Sequence, residues 1–203
     1  TDWHAALACA RTLPNIDKQR IALWGTSFAG GLVVTVAAQD GKVAATVSQC
    51  PMLDGLASAL EIARYAGVFS LLRVSTHGVF DVARSIVGAS AHYIPAAAKE
   101  GEVGAMTSAD AFDAYLRLAP QNSTHQNQVT ARTGLLVPMF RPIRDAAKVK
   151  CPALLQICTQ DTVAPAAAAE KAAKKMPKAE VVRYPVGHFD VYFGDAFEHS
   201  VSD

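Results

Sequence analysis

The chain has 203 residues, of which 51% are hydrophobic and 18% charged, and its formal net charge is +1. This composition indicates a globular protein and excludes an intrinsically disordered chain. Because the net charge is small and no dense lysine and arginine cluster stands out, nucleic acid and anionic membranes are excluded as main partners. No apolar run reaches the roughly 18 residues that a membrane-spanning helix needs.

The clearest local pattern is a serine between a strand and a helix. Residues 21–24 predict a strand, and residues 25–31 predict a sharp turn of small residues around Ser27, followed by an apolar helix. Gly25 and Ala29, two residues before and after this serine, are small enough for strand and helix to approach closely. Such an arrangement is what a nucleophile elbow requires, and the competing interpretation is a simple helix cap.

Further segments predict the rest of a sheet and its flanking helices. Three more strands are predicted, over residues 43–49, 153–159 and 180–184. Helices are predicted over residues 164–176, 190–200 and 1–13, the last of them capped by Thr1 or Asp2. Because strands alternate with helices, we expect a parallel sheet with right-handed crossovers.

The middle of the chain interrupts this alternation of strands and helices. Helical patterns cover residues 56–72, 79–87 and 109–118, the last with Ser108 as its cap, while residues 120–130 read as a loop and 137–144 as irregular. A structureless loop of this length would be implausible in a compact domain. We therefore predict a mostly helical cap over residues 54–145, inserted into an α/β core of residues 1–53 and 146–203.

Two later strand ends carry the side chains that a serine nucleophile needs. Asp161 follows the third strand, and His188 follows Gly187 after the fourth. Since the carboxyl ends of parallel strands meet at one edge of the sheet, both should converge with Ser27. A histidine can take the proton of the attacking serine, and an acid can orient that histidine. The competing interpretations are a turn residue at Asp161 and a structural histidine at His188.

The elbow and the chain order Ser27, Asp161, His188 resemble the α/β-hydrolase family, in the manner of serine esterases, dienelactone hydrolases and acyl-peptidases. The resemblance covers residues 20–49 and 151–197. It implies that the serine is the nucleophile, the histidine the general base and the aspartate its orienting partner. It also implies that the backbone N–H of Phe28, the residue after the nucleophile, binds the oxyanion and that the cap shapes the pocket.

The same resemblance implies several strands ahead of the elbow strand, and this sequence carries only one helix there. We therefore expect a C-terminal part of a hydrolase, without the N-terminal strands and without the second oxyanion donor. Losing one such donor costs about 2.7–4 kcal/mol, so the chain alone should be a weak catalyst. The elbow strand should then have an unpaired edge, open to a second copy of the chain or to the missing N-terminal segment.

Four cysteines show no CxxC spacing: Cys9, Cys50, Cys151 and Cys158. We expect them to be reduced, buried and without chemical duty, in a cytoplasmic protein that needs neither a metal nor another cofactor. A disulfide or a metal site is the alternative.

Apolar and aromatic side chains in the predicted cap favour an uncharged, apolar small-molecule substrate. We predict that the substrate contacts Phe140 in the cap and Phe189 and Tyr192 beside the histidine. The function predicted is hydrolysis of carboxylic esters through an acyl-enzyme, the reaction of a carboxylesterase. The alternatives are a peptidase, a thioesterase or a carbon–carbon bond hydrolase on the same residues, and a non-catalytic binding module.

Overall fold

A parallel sheet forms the centre of the computed structural model, which describes residues 2–120 and 122–203. The strands are β1 (Ala22–Thr26), β2 (Ala45–Gln49), β3 (Tyr93–Ile94), β4 (Val129–Thr130), β5 (Ala153–Cys158) and β6 (Ala179–Tyr184). The parallel sheet has the order β1-β2-β5-β6, and β3 and β4 form a separate antiparallel pair. The predicted α/β class with a parallel sheet is confirmed. Thr1, a predicted helix cap, and Gln121, in a predicted loop, lie outside the described residues.

Helices connect and cover these strands. They are α1 (Asp2–Ala10), α2 (Ser27–Asp40), α3 (Gly55–Ala66), α4 (Val68–Ile86), α5 (Ala111–Leu118), α6 (Thr133–Leu136), α7 (Ala166–Ala173) and α8 (Gly194–Ser202). Short 3-10 turns lie at Val137–Met139, Pro142–Arg144, Ala146–Lys148 and Asp190–Tyr192. The predicted first helix and final helix are therefore present, with the final one interrupted between a 3-10 turn and α8.

One face of the sheet carries the main apolar core. Side chains alternate between the two faces of a strand, so Ala153, Leu155 and Ile157 of β5 point to the same side. All three are buried in one cluster with Val33 of α2 and Ala172 of α7. Helices α2 and α7 therefore pack against the same face of the sheet.

The opposite face of the sheet carries buried polar side chains that hold α8. Gln156 Nε2 donates a hydrogen bond to the carbonyl oxygen of Ser200 at 2.6 Å, and Gln49 Nε2 donates to Ser200 Oγ at 3.1 Å. Both glutamines are almost fully buried. Because buried amides need partners, these bonds fix α8 against the strands that lead to the predicted site.

The segment between β2 and β5 is mostly helical, but its helices differ from the predicted ones. Helix α3 ends at Ala66, before Gly67, whose φ of +80° favours glycine, and α4 then runs unbroken from Val68 to Ile86. The predicted helices over residues 56–72 and 79–87 are therefore wrong in their bounds. Ser108 is not the cap of α5: Asp110 precedes that helix and accepts a hydrogen bond from Ser108 Oγ at 2.8 Å.

The two ends of this segment are joined to each other. The N–H of Gly55 donates to the carbonyl oxygen of Phe140 at 2.9 Å, and the N–H of Ile143 donates to that of Leu53 at 2.8 Å. Between these two bonds, the Arg141 guanidinium forms a two-pronged ion pair with Asp54. The chain therefore enters and leaves this segment at nearly the same place.

Strand β1 has β2 as its one strand neighbour in the described sheet, and the side chain of Trp24 is 57% exposed. The predicted open edge of the elbow strand is thus present in this structure. Cys50 and Cys158 are buried, whereas Cys151 is half-buried and Cys9 is exposed, so the expectation that all four thiols are buried is wrong. Within residues 2–120 and 122–203, no helix combines the length and apolar character that crossing a membrane requires.

Candidate active site

Ser27 stands where β1 passes directly into α2. Its φ is +53°, in the left-handed region that residues other than glycine rarely occupy. A Cβ on Gly25 would lie 2.4 Å from the carbonyl oxygen of Ala29, so strand and helix cross with no room for a side chain. A serine in strained backbone geometry, with a glycine two residues before it, has the local structure of a nucleophile elbow.

The predicted turn over residues 25–31 is wrong, because the helix begins at the serine itself. Gly30 and Gly31 lie inside the first turns of α2, and a Cβ on the latter would lie 2.1 Å from the carbonyl oxygen of Met52. These glycines are required because the chain after β2 crosses that helix. The same crossing lets the N–H of Met52 donate to the carbonyl oxygen of Ser27 at 2.9 Å.

Three predicted residues form one hydrogen-bonded chain. His188 Nε2 lies 2.9 Å from Ser27 Oγ, and His188 Nδ1 lies 2.6 Å from Asp161 Oδ2. The side chains of His188 and Asp161 are nearly inaccessible, at 2% and 1% exposure. The other carboxylate oxygen, Asp161 Oδ1, accepts the N–H groups of Val163 and Ala164. The aspartate is therefore held from both sides, and one ring nitrogen of the histidine faces the serine.

Electrostatics around His188 favour its protonated form. Burial lowers its pKa, but the charge of Cys50 and the hydrogen bond and charge of Asp161 outweigh burial and raise the pKa to about 9. In turn, burial raises the pKa of Cys50, and the hydrogen bond from Cys158 together with the charge of His188 lowers it to about 6. The thiol and the imidazole thus stabilise each other's charged forms.

A small polar network lies behind the histidine. Thr26 Oγ1 lies 2.6 Å from the hydroxyl oxygen of Tyr192, and Cys50 Sγ lies 3.1 Å from that same oxygen. The ring of Tyr192 also meets the ring of His188 edge-on, with centroids 6.4 Å apart. Cys50 has a φ of +34°, so its backbone is strained where it follows β2. This network links the ends of β1 and β2 to the loop that carries the histidine.

Phe28 follows the serine in the first turn of α2. Backbone N–H groups in the first turn of a helix have no acceptor within that helix, so this N–H remains available for an oxyanion. The side chain of Phe28 is 42% exposed and packs on Phe140, with ring centroids 4.5 Å apart. The position of this N–H fits the oxyanion-binding role that the family resemblance implies. That role stays a prediction.

A cavity of about 390 Å³ opens beside the serine. Its wall is mostly apolar and includes Phe28, Met52, Ile62, Met106, Val129 and Val163. The cavity lies between the sheet edge, α3 and the β3–β4 pair, so both the core and the 54–145 segment contribute to it. This size falls within the usual range for small-molecule sites.

The three predicted substrate contacts stand next to residues that line this cavity. Phe189 is buried in a cluster with Val163, and its ring centroid is 5.1 Å from that of His188. Tyr192 contacts Thr26, and Phe140 packs on Phe28, as described above. Their contact with substrate stays a prediction.

Several lining residues were not predicted from the sequence. Ser58, Ile62 and Tyr65 of α3 line the cavity, as does Thr133 of α6. The first three recur at a spacing of four and then three residues, which places them on one face of a helix. This spacing was the one sequence pattern that could have indicated these lining residues. It does not tell which face of the helix turns towards the serine.

A parallel sheet with an elbow serine at the end of a strand is the architecture of α/β hydrolases. The family model described as "Alpha/beta hydrolase family" matches residues 1–198 of this chain. The chain therefore belongs to the α/β-hydrolase family, and the resemblance predicted from the sequence is confirmed.

Curated relatives match almost the whole chain. The quorum-quenching protein AidA of Acinetobacter baumannii (strain MDR-ZJ06) is 38% identical over 202 residues, which are 100% of this chain and 65% of AidA. An uncharacterized 31.7 kDa protein of Escherichia coli is 27% identical over 189 residues, covering 90% of this chain and 62% of that protein. The chain thus spans less than two thirds of the length of these relatives.

Solved structures share the fold. The α/β hydrolase GrgF from Penicillium sp. sh18 has a TM-score of 0.70 and 19% identity, covering 99% of this chain and 67% of that chain. DcsB in complex with its substrate analogue has a TM-score of 0.75 and 21% identity, covering 99% of this chain and 68% of that one. At these identities, the likeness concerns the fold alone.

Proposed function

We propose that this protein is a serine hydrolase that cleaves carboxylic esters of small molecules. The observation that carries the proposal is the 2.9 Å distance between His188 Nε2 and Ser27 Oγ, continued by the bond from His188 to Asp161. A serine hydroxyl is a weak nucleophile unless a base takes its proton. Here a base is within hydrogen-bond reach, and an acid fixes the orientation of that base.

In the proposed reaction, Ser27 Oγ attacks the ester carbonyl while His188 Nε2 accepts its proton. The imidazolium then donates the proton to the leaving alcohol, and an acyl-enzyme remains on the serine. Water attacks this acyl-enzyme with the same histidine as the base, which releases the acid and restores the serine. Asp161 stabilises the imidazolium in both halves of the reaction. The N–H of Phe28 binds the oxyanion in each tetrahedral intermediate.

The cavity supports an apolar acyl group rather than a charged one. Burying an unpaired charge among side chains such as Ile62, Met106 and Val163 would be costly, whereas a hydrocarbon chain gains from leaving water. We propose that residues 54–145 act as the cap that forms this pocket, over a core of residues 1–53 and 146–203. A thioesterase, peptidase or carbon–carbon bond hydrolase would use the same three side chains on another bond.

Quorum quenching is the second candidate, because the name of the 38% identical A. baumannii relative states that function. This candidate rests on the relative's name, and no particular residue of the present chain points to it. The test is to incubate the protein with bacterial quorum signals and measure the remaining signal with a reporter strain. Quorum quenching is supported if the parent protein destroys the signal and the Ser27→Ala variant leaves it intact.

The nucleophile can be tested directly with a fluorophosphonate probe, which bonds to activated serines. We expect the probe to label the parent protein and a Ser85→Ala control, but not Ser27→Ala. Ser85 lies on the exposed surface of α4, so its loss should not matter. Failure to label the parent would favour a non-catalytic binding module. A panel of matched esters, thioesters and amides would then identify the bond that is cleaved.

A further inference from the structure

Ser58 is a buried polar residue without a partner in the wall of the cavity. It lies in the first turn of α3 and is 2% exposed, and its own N–H is bonded to the carbonyl oxygen of Asp54. Its Oγ has no hydrogen-bond partner among residues 2–120 and 122–203. Buried hydroxyl groups are normally paired, so an unpaired one beside a ligand-sized cavity calls for an explanation.

Two threonine hydroxyl groups in the same wall already have partners. Thr26 Oγ1 is bonded to the hydroxyl of Tyr192, and Thr133 Oγ1 lies 3.2 Å from Thr130 Oγ1. Ser58 differs from them because its hydroxyl is both buried and unpaired. Among the buried side-chain hydroxyl groups that line this mostly apolar wall, that of Ser58 is the one without a partner in residues 2–120 and 122–203.

Ser58 is close along the chain to Met52, which is itself hydrogen-bonded to the nucleophile Ser27. Met52 lines the cavity, its N–H donates to the carbonyl oxygen of Ser27, and α3 begins three residues later at Gly55. A ligand bonded to Ser27 would extend into the space that Met52 and Ser58 border together. An acyl chain in this space would pass mostly apolar side chains, with the unpaired hydroxyl of Ser58 in the wall beside it.

We propose that Ser58 Oγ is a polar subsite that selects acyl groups carrying one hydroxyl or carbonyl oxygen on an otherwise apolar chain. This inference rests on the proposed ester hydrolysis and names the substrate class of that same site. A site built to hydrogen-bond one substrate oxygen rejects the analogue without it, because the buried hydroxyl then stays unpaired. Plain fatty acyl groups are accordingly poorer substrates than their oxygenated counterparts.

The experiment compares octanoyl esters with esters of monohydroxy- and mono-oxo-octanoic acids, the oxygen being moved stepwise along the chain. For at least one position, the parent protein should show a kcat/KM at least about 10-fold above that for plain octanoate. Ser58→Ala should lose this preference, so that its kcat/KM for the oxygenated ester falls to the level of that for plain octanoate. Thr133→Val is the matched control, since it removes a lining hydroxyl that already has a partner, and it should keep the preference.

A binding measurement separates this inference from the proposed reaction. In Ser27→Ala protein, the free oxygenated acids should raise the melting temperature more than octanoate does, and Ser58→Ala should remove that difference. If no ester is cleaved but this difference is found, the reaction is wrong and the subsite stands. If esters are cleaved without a preference that depends on Ser58, the subsite is wrong and the reaction stands. Retention of the preference in Ser58→Ala would equally overturn the subsite.

Discussion

Asp161 and His188 are joined by a 2.6 Å hydrogen bond between Oδ2 and Nδ1, while the second oxygen of this carboxylate is occupied by two backbone N–H groups. The aspartate therefore cannot rotate away from the histidine without losing those bonds. Because the carboxylate of Asp161 can only accept a hydrogen bond, Nδ1 must be the protonated nitrogen of the neutral imidazole. Nε2 is then left as the acceptor for the serine proton.

We expect Asp161→Asn to lower kcat for ester hydrolysis by about 10³–10⁴-fold, with a much smaller change in KM. The amide can present its N–H to the ring and thereby favour the wrong tautomer. Steady-state kinetics on a simple ester measure the effect. Asp145→Asn is the control, because it removes a carboxylate that pairs with Lys148 at the surface, and it should retain the parental kcat. An equal loss in both variants would rule out the orienting role.

The pH dependence of hydrolysis should report the environment of His188. The base must be neutral to accept a proton, and its pKa is raised to about 9, so kcat/KM should rise with pH until about pH 9. Cys50→Ala should move the midpoint of this rise down towards 6.5, the ordinary value for histidine, because it removes a neighbouring negative charge. Cys151→Ala changes a thiol outside the network and should leave the midpoint in place. A parental midpoint already near 6.5 would refute the coupling.

The close crossing at the elbow predicts that Gly25 tolerates no side chain. Its Cβ would lie 2.4 Å from the carbonyl oxygen of Ala29, so Gly25→Ala should push the helix away and displace the serine. We expect a loss of about 1–3 kcal/mol in unfolding free energy and about 100-fold in kcat. Urea unfolding and ester kinetics measure the two effects. In Gly41→Ala, where φ is +66° and the space is open, stability should fall by about 1–2 kcal/mol at unchanged kcat.

The cavity predicts a dependence on acyl length that one substitution can change. Ala105 lines the cavity, and Ala105→Phe should fill part of it. We expect kcat/KM for an octanoyl ester to fall by about 10-fold or more, while that for an acetyl ester changes little. Ala89→Phe, on an exposed position after α4, is the size-matched control and should alter neither value. If Ala105→Phe lowered kcat/KM equally for both esters, the ring would be disturbing the catalytic residues and not the space for the acyl chain.

The open edge of β1 predicts self-association of the 203-residue chain. An unpaired strand edge with an exposed Trp24 is a template for pairing with another strand. We expect light scattering to show mass rising with protein concentration, and Trp24→Lys to suppress the rise. Phe69→Lys makes a comparable change at an 82% exposed position on α4 and should leave association unchanged. Suppression by Phe69→Lys alone would assign the contact to α4 instead.

The positions of Ser27, Asp161 and His188 were predictable because each follows a strand. The alternation of strands and helices determines that such strand ends meet at one edge, whatever the loops between them do. The exact geometry at Ser27 was less predictable. A run of small residues favours a turn locally, yet Gly30 and Gly31 are small because a distant segment, with Met52, crosses the helix there.

The segment between residues 54 and 145 was harder to predict in detail. Strand β3 pairs with β4 through Tyr93 and Thr130, residues far apart in sequence, and no local pattern encodes that pairing. Ser108 looked like a helix cap because serine is a common one, but the helix begins later, after Asp110. The unpaired state of Ser58 depends on all the elements around the cavity at once, so only a three-dimensional structure reveals it.

Leu53 and Ile143 meet through a backbone hydrogen bond, and Asp54 and Arg141 meet through an ion pair one residue further out. A segment whose two ends are fastened together imposes little strain on the strands from which it arises. Doubling the length of a closed loop adds only about 0.6 kcal/mol in closure entropy. We therefore expect that the segment between Asp54 and Arg141 can be lengthened or replaced, during evolution or by engineering, without rebuilding the strands that precede Ser27 and Asp161.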